Sequence, residues 1–307
     1  MQRILQPGQI EAFAQRAIPR IRLPDRASFF STRAQRLRQL SDKHTIGDYL
    51  RLMAVVADTQ HTALASFKAS PPSPEQIAQA RTHRMPLVHA VGWPREDGWR
   101  NVLEQLCDSV AAVPGFPASV REVCARLRRS PPEQVETQSD ALLAAQTNGV
   151  DVAAAPFVMA ALQVYWVDLA SRLIVEDIAQ LDVPGVCPVC GTLPVASVVR
   201  TDNRSQGYRY LHCALCATEW HMVRVKCSHC EATKGISYHS IERASDAIRA
   251  ESCDTCRTYR KILYQEKDAG VEPVADDLAS LALDLLLSEA GFHRGSGNPL
   301  LWQHPEA

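Results

Sequence analysis

Up to residue 182 the chain alternates apolar and polar positions with a helical period. Apolar residues recur at i, i+3 and i+4 over 8–17, 27–40, 45–67, 74–83, 98–112, 117–129 and 133–147, the spacing that lines one face of an α-helix. Pro19, Pro24, the Pro71-Pro72-Ser73-Pro74 run, Pro86, Pro94, Pro114-Gly115, Pro117, Pro131-Pro132 and Gly149 separate these segments, as helix terminators do. One more helix is predicted from Asp151 to Leu181, with Val158, Leu162, Tyr165, Leu169 and Leu173 along one face. If continuous it is about 45 Å long, enough to tie a helical domain to whatever follows. Its apolar run from Val152 to Val167 is broken by Gln163 and followed by Asp168, which leaves it short of the ~20 residues that cross a bilayer. It reads as a core helix, and no membrane insertion is expected.

Beyond residue 182 the pattern thins. From Val183 to Glu266 only 16 of 84 residues, 19%, are Leu, Ile, Val or Phe, under the ~20% level at which hydrophobic burial alone stops supporting a fold. Helical signals return at Asp276-Asp277, which favour a helix N-terminus, and run to Gly291, a C-terminal stop. Between them Leu278, Leu281, Leu283, Leu285, Leu286 and Leu287 leave little but Asp284 and Ser288 as polar positions. A helix apolar on nearly every side is expected to be buried or docked. The tail Phe292 to Trp302 is expected to complete that packing or to offer a partner surface.

The lean segment holds eight of the ten cysteines. They form four Cys-x-x-Cys pairs: Cys187/Cys190, Cys213/Cys216, Cys227/Cys230 and Cys253/Cys256. Twenty-two residues separate the first two pairs and the last two, and adding 40 to the first four positions gives the last four. Such a period implies an internal duplication. A Cys-x-x-Cys turn aims two sulfurs inward, and two turns make a tetrahedral S4 site suited to zinc or a single iron. A disulfide framework is disfavoured in a reducing compartment, and redox pairs do not come in four copies at a fixed period. Metal ligation would supply the stability the segment lacks, roughly 10–16 kcal/mol per site in small zinc modules. Duplication predicts that pairs one and two hold one ion and pairs three and four the other; interleaved pairing stays open. Gly191 follows the first turn and takes positive φ freely. Ala217, Glu231 and Arg257 stand at the corresponding places, so those turns are expected to be strained or differently shaped.

Charge narrows the partners. The 307 residues carry 33 Lys plus Arg against 34 Asp plus Glu, net -1, so no overall basic field draws nucleic acid or an anionic membrane. The lean segment has eleven basic and eight acidic residues, and eight thiolates with two divalent ions would leave it near -1. A phosphate-tracking ribbon is basic, so Trp220, Tyr208, Tyr210 and Tyr238 are read as a mini-core and no nucleic-acid partner is expected. His212, His221 and His229 sit near the turns but are not needed as ligands, because eight thiols already fill two S4 sites. Cys107 and Cys124 lie in helical patterns and read as inert buried thiols. Gln60 and His61 read as ordinary helix residues. No phosphate loop, nucleophile elbow or zincin helix is present, and the first residues show no secretory h-region, so the chain is expected to stay in the cytoplasm.

Cys187-Pro-Val-Cys190-Gly and Cys213-Ala-Leu-Cys216-Ala-Thr-Glu-Trp-His221, followed by Val-Lys-Cys227-Ser-His-Cys230 and Cys253-Asp-Thr-Cys256, resemble the formate dehydrogenase accessory protein (FdhE) family. Phe30-Ser-Thr-Arg-Ala-Gln-Arg-Leu37, Asp277-Leu-Ala-Ser-Leu-Ala-Leu-Asp284 and Asn298-Pro-Leu-Leu301 resemble it too. The resemblance implies an all-α domain (1–182), two rubredoxin-like metal modules (183–226 and 227–268) and a C-terminal helix and tail (269–307). It also implies that the eight cysteines make two four-cysteine sites, each for one iron or zinc ion. The implied role is that of a non-catalytic cytoplasmic factor that contacts the catalytic subunit of a respiratory formate dehydrogenase and is required for its activity. Two alternatives are a rubredoxin-like iron electron carrier and, behind it, a zinc-ribbon nucleic-acid module.

Overall fold

The computed structural model describes residues 18–146, 148–201, 207–242 and 245–301. A two-residue strand, β1 (Ile21–Arg22), precedes the helices α1 (Phe29–Ser41), α2 (Gly47–Ser66), α3 (Pro74–His83), α4 (Gly98–Ala112), α5 (Ala118–Arg129), α6 (Pro132–Leu143) and α7 (Ala155–Ser171). The period-3.6 segments account for each of them; the segment at 8–17 lies outside the described residues. On α1, Phe30, Ala34 and Leu37 are buried at i, i+4 and i+7. α3 starts at a capping box in which Ser73 Oγ accepts from the Gln76 amide while Gln76 Oε1 accepts from the Ser73 amide, which satisfies donors the first turn leaves open.

α7 is the axis of the helical part. Every residue from Ala155 to Ala170 is buried, because α2, α4 and α6 pack around it. Its buried Asp168 and Gln163 are both partnered. Asp168 is paired with Arg26 and Arg172 and accepts from the Ala69 amide. Gln163 accepts from Gln60 and Arg33, which settles Gln60 as a core residue. α7 does not reach Leu181 as its pattern predicts. It ends at Ser171 after 17 residues, about 25 Å, because Arg172 leaves the helical region and bonds back to the Ala69 carbonyl at 2.6 Å. Beyond it Ile174 is 61% exposed: the chain there has left the core that held the helix.

The cysteine-rich part is β2 (Pro194–Val199), β3 (Arg209–Cys213), β4 (Glu219–His221), β5 (Ile236–His239), β6 (Ile248–Cys253) and β7 (Thr258–Tyr264). α8 (Pro273–Leu278), α9 (Leu281–Glu289) and β8 (His293–Arg294) follow. All strands join one sheet in the order β1-β4-β3-β2-β7-β6-β5, with β8 beside β7. The 40-residue period is visible in it: β4-β3-β2 and β7-β6-β5 are two three-stranded antiparallel units, fused by a parallel pairing of β2 with β7. The units stack head to tail rather than face to face.

The expected single C-terminal helix is two. Glu272, not Asp276, caps α8, its carboxylate accepting from the Ala275 amide at 2.7 Å. Asp276 and Asp277 are inside α8 and fully buried, where Arg36 pairs with the first and Lys261 and Arg294 with the second. Those ion pairs explain two adjacent acids in an apolar segment, which the sequence alone reads as a helix start. α9 buries Leu283 and Leu287 but leaves Leu285 67% and Leu286 51% exposed, so of the two expectations, buried or docked, full burial within this chain does not hold.

The large core runs from the helices into the first cysteine unit, taking in Val189, Val195, Ala196, Leu211, Leu215, Trp220 and Met222. The second unit has a satellite core of Ala250, Tyr259, Leu283, Leu287 and Phe292.

Candidate metal centres

The eight cysteines of the four turns gather into two groups, Cys187/Cys190/Cys213/Cys216 and Cys227/Cys230/Cys253/Cys256. Within each group all four sulfurs lie within 4.8 Å of one another. In the first, Cys187 and Cys216 are 3.5 Å apart and Cys190 and Cys213 3.3 Å. In the second, Cys227–Cys256 and Cys230–Cys253 are both 3.7 Å. A tetrahedron with metal–sulfur bonds of ~2.3 Å has edges of about 3.8 Å, so each group fits one ion. None of these distances is near the ~2.05 Å of a disulfide. The arrangement is sequential, not interleaved.

The four turns share one backbone shape. The residue after each second cysteine has positive φ: Gly191 at 76°, Ala217 at 60°, Glu231 at 62° and Arg257 at 56°. The three non-glycine turns are therefore strained but not reshaped, at a cost of roughly 1–2 kcal/mol each. In three of them the first cysteine's amide also bonds the carbonyl five residues on, Cys187 to Thr192, Cys213 to Thr218 and Cys227 to Ala232, each at 2.9 Å. The turn then points amides at sulfur: Leu215 and Cys216 donate to Cys213 Sγ at 3.4 Å, and His229 and Cys230 to Cys227 Sγ at 3.4 and 3.5 Å. Such donors stabilise thiolate charge.

The two centres differ in their surroundings. All four sulfur-bearing residues of the first are at most 1% exposed. A loop from the helical part holds its first turn, with the Val88 and Ala90 amides donating to the Val189 and Cys190 carbonyls at 2.8 and 2.9 Å. Trp166 Nε1 bonds the Val88 carbonyl, and Gln163 Nε2 the Ala214 carbonyl. In the second centre Cys230 is exposed and Cys256 half-buried, and His229 is exposed between the ligand positions.

Electrostatics follows burial. Burial pushes the Cys187 and Cys216 thiols well up. At Cys213 burial acts the same way but is outweighed by hydrogen bonds from Cys187, Cys190, Cys216 and Thr192, which hold it down. In the second centre burial drives Cys227 up to about 12, while at Cys256 the hydrogen bonds from Thr258 overcome burial and bring it to about 7.

The nearby histidines stay outside both groups. His212 is buried and donates through Nδ1 to Glu219 at 3.0 Å. Burial alone would raise Glu219, but the charge of Arg200 and the bonds from His212 and Arg200 hold it well below the carboxylate range. Trp220 is buried with Nε1 on the Pro184 carbonyl, and Tyr210 is buried with its hydroxyl on the Pro19 carbonyl, so these two belong to the core. Tyr238 is 41% exposed, its hydroxyl on Glu251, and is not part of it. Cys107 and Cys124 are buried, and the hydrogen bond to Cys124 followed by burial raises the Cys107 thiol.

Sequence reasoning missed the threonines. Thr192 Oγ1 lies 3.1 Å from both Cys190 and Cys213 Sγ, and Thr218 Oγ1 3.2 Å from Cys216 Sγ. The signal was present: threonine stands two places after the second cysteine in three of the four turns, at Thr192, Thr218 and Thr258. The Val88–Ala90 clamp had no such signal. Among the described residues no helix is long and apolar enough to cross a membrane.

Comparison with known proteins covers the whole of this architecture. Residues 18–182 match the family model "FdhE, N-terminal", 186–224 "FdhE, central domain" and 225–301 "FdhE, C-terminal domain". A protein FdhE homolog of Cronobacter sakazakii is 41% identical over 98% of this chain and 97% of its own. Protein FdhE of Salmonella paratyphi A is 40% identical over 93% and 92%. The crystal structure of the FdhE protein from Pseudomonas aeruginosa superposes with a TM-score of 0.84 at 38% identity, covering 92% of this chain and 99% of that one.

Proposed function

The chain belongs to the FdhE family, and from that premise we propose that it is a cytoplasmic maturation factor, not itself a catalyst, that binds the catalytic subunit of a respiratory formate dehydrogenase. In this reading Cys187, Cys190, Cys213 and Cys216 hold one iron or zinc ion, and Cys227, Cys230, Cys253 and Cys256 the other. The observation that carries it is the pairing of one sealed sulfur tetrahedron with one that opens to the surface at Cys230, in a family associated with this enzyme. The sealed centre joins the sheet to the helices, and the exposure of Cys230 in the open one supports a role in contact with another macromolecule. The protein's own residues do the work of presentation: the strained turns fix the sulfurs, and the amide donors balance their charge. Affinity purification from cells making the formate dehydrogenase tests this. The catalytic subunit is expected to co-purify, and deletion is expected to abolish formate oxidation. Failure of both overturns the reading.

The exposure of Cys230 also favours a second reading, an iron electron carrier, since electron exchange needs a centre near the surface. A red spectrum that bleaches reversibly on reduction supports it. A colourless zinc-loaded protein that still supports formate oxidation removes it.

A further inference from the structure

The two cysteine units stack head to tail, so the edge that the first unit uses to bind the second is repeated at the far end of the sheet. In the first unit that edge is β2, which accepts β7 in parallel with Ser197 opposite Ile262, Val198 opposite Leu263 and Val199 opposite Tyr264. Its counterpart is β5, the terminal strand, which among the described residues pairs only with β6. The registers make the correspondence definite. Leu211 lies opposite Ser197 and Glu251, 40 residues on, opposite Tyr238; Tyr210 lies opposite Val198 and Ala250 opposite His239. Tyr238 therefore stands where Ser197 stands, and Ser240 where Val199 does.

Hydrogen-bond parity agrees. The Asp254 amide bonds the Gly235 carbonyl at 2.9 Å, and bonding alternates along an antiparallel strand. Ser237 and His239 accordingly face β6, whereas the backbone groups of Tyr238 and Ser240 face the open edge. Ser237, Tyr238 and Ser240 are exposed. Natural sheets cover or charge such edges, and this protein does so at the opposite end, where β1 pairs with β4 through Ile21–Trp220 and Arg22–Glu219.

That cap also excludes one occupant. A second copy continuing the stack would offer its β4 to β5, but β4 is already taken by β1. With a head-to-tail copy excluded, an extended segment of another polypeptide fits this edge. α9 supplies a side-chain contact for it. Leu283 and Leu287 pack on Ala250 and Tyr259, and Asp284 turns towards Lys261 and Tyr259 of β7. With 100° per residue, Leu286 lies on the flank of α9 opposite Asp284, away from Lys261 and Tyr259, and is 51% exposed.

We infer that β5 is a docking edge that takes an extended, apolar-containing segment of the client polypeptide as a parallel strand, through the backbone of Tyr238 and Ser240 and the side chain of Leu286. This rests on the maturation reading, and the segment belongs to the immature catalytic subunit. The mode is strand addition, in which main-chain bonds give affinity and alternate side chains give selectivity.

The test is amide hydrogen exchange on the full-length protein, alone and with the purified cofactor-free catalytic subunit, together with binding by Y238P and Y238V. Proline at 238 removes the outward amide, which β6 does not use, and Y238V controls for the lost side chain. On binding, the Tyr238 and Ser240 amides are expected to exchange at least about tenfold more slowly, and Y238P to bind about tenfold more weakly with Y238V near wild type. A bound subunit that leaves those two amides unchanged overturns the docking edge and leaves the maturation reading standing. A wild-type protein that fails to bind the subunit overturns both. Protection that instead appears with rising concentration of the protein alone assigns the edge to a second copy and overturns the inference.

Discussion

The two cysteine units arise from one repeat and differ in what surrounds them. Besides its cysteines, the first gives eight apolar side chains to a core shared with the helices, and its four cysteines are at most 1% exposed. The second gives Ala247 and Leu263 to that core and Ala250 and Tyr259 to a satellite cluster, and it opens at Cys230 and Cys256. The same backbone turn thus serves as a structural joint in one place and as a surface feature in the other. What separates them is the packing each receives from outside the repeat, not the ligand set.

The largest expected effect that could break this contrast is serine substitution. C213S is expected to yield no stably folded protein, because a buried centre worth roughly 10–16 kcal/mol of ligation exceeds a total stability of about 5–15 kcal/mol. C230S is expected to keep the helical circular dichroism and one of two metal ions by elemental analysis. A folded C213S beside a collapsed C230S would invert the comparison. Chelator challenge sharpens it in time: the second centre is expected to release its ion at least about 100-fold faster, since local opening at an exposed site requires about 2.8 kcal/mol less than opening of the core. A single release phase for both ions would show the centres to be equivalent.

A smaller effect is expected at Gly191, where φ is 76° and an added Cβ would stand 2.8 Å from His89 Cδ2. G191A is expected to cost about 2–3 kcal/mol by urea denaturation, from left-handed strain and crowding together, and to loosen the Val88–Ala90 clamp. Smallest is A217G. It removes strain at φ 60° and, after the greater freedom glycine has in the unfolded chain is subtracted, is expected to stabilise by no more than about 1 kcal/mol. A loss of stability there would mean that the buried methyl matters more than the backbone.

Much of this was legible in the sequence, for a physical reason in each case. The helices of the first half follow from apolar periodicity bounded by prolines, and the sulfur groups from a spacing of 22 and a period of 40. What was not legible depends on partners distant in sequence. The end of α7 is set by Arg172 reaching Ala69. Asp276 and Asp277 are explained by Arg36, Lys261 and Arg294, and local pattern assigns them to a helix start. The difference in exposure between the two centres was invisible as well, because nothing within the repeat records that helices cover one copy. The αL turns lay between these cases: Gly191 announced the shape, and Ala217, Glu231 and Arg257 adopt it without announcing it.

The ion pair of Arg33 with Glu272, 3.0 Å long and buried on both sides, joins residues 239 positions apart. On the ribosome, at roughly 5–20 residues per second, the arginine emerges about 12–48 s before its carboxylate exists. The first helix can form and pack on α2 in that interval, but this ion pair cannot close. Closure of this part of the core therefore waits for residue 272, and a product truncated before it would hold the Arg33 guanidinium on Gln163 without a carboxylate to balance its charge.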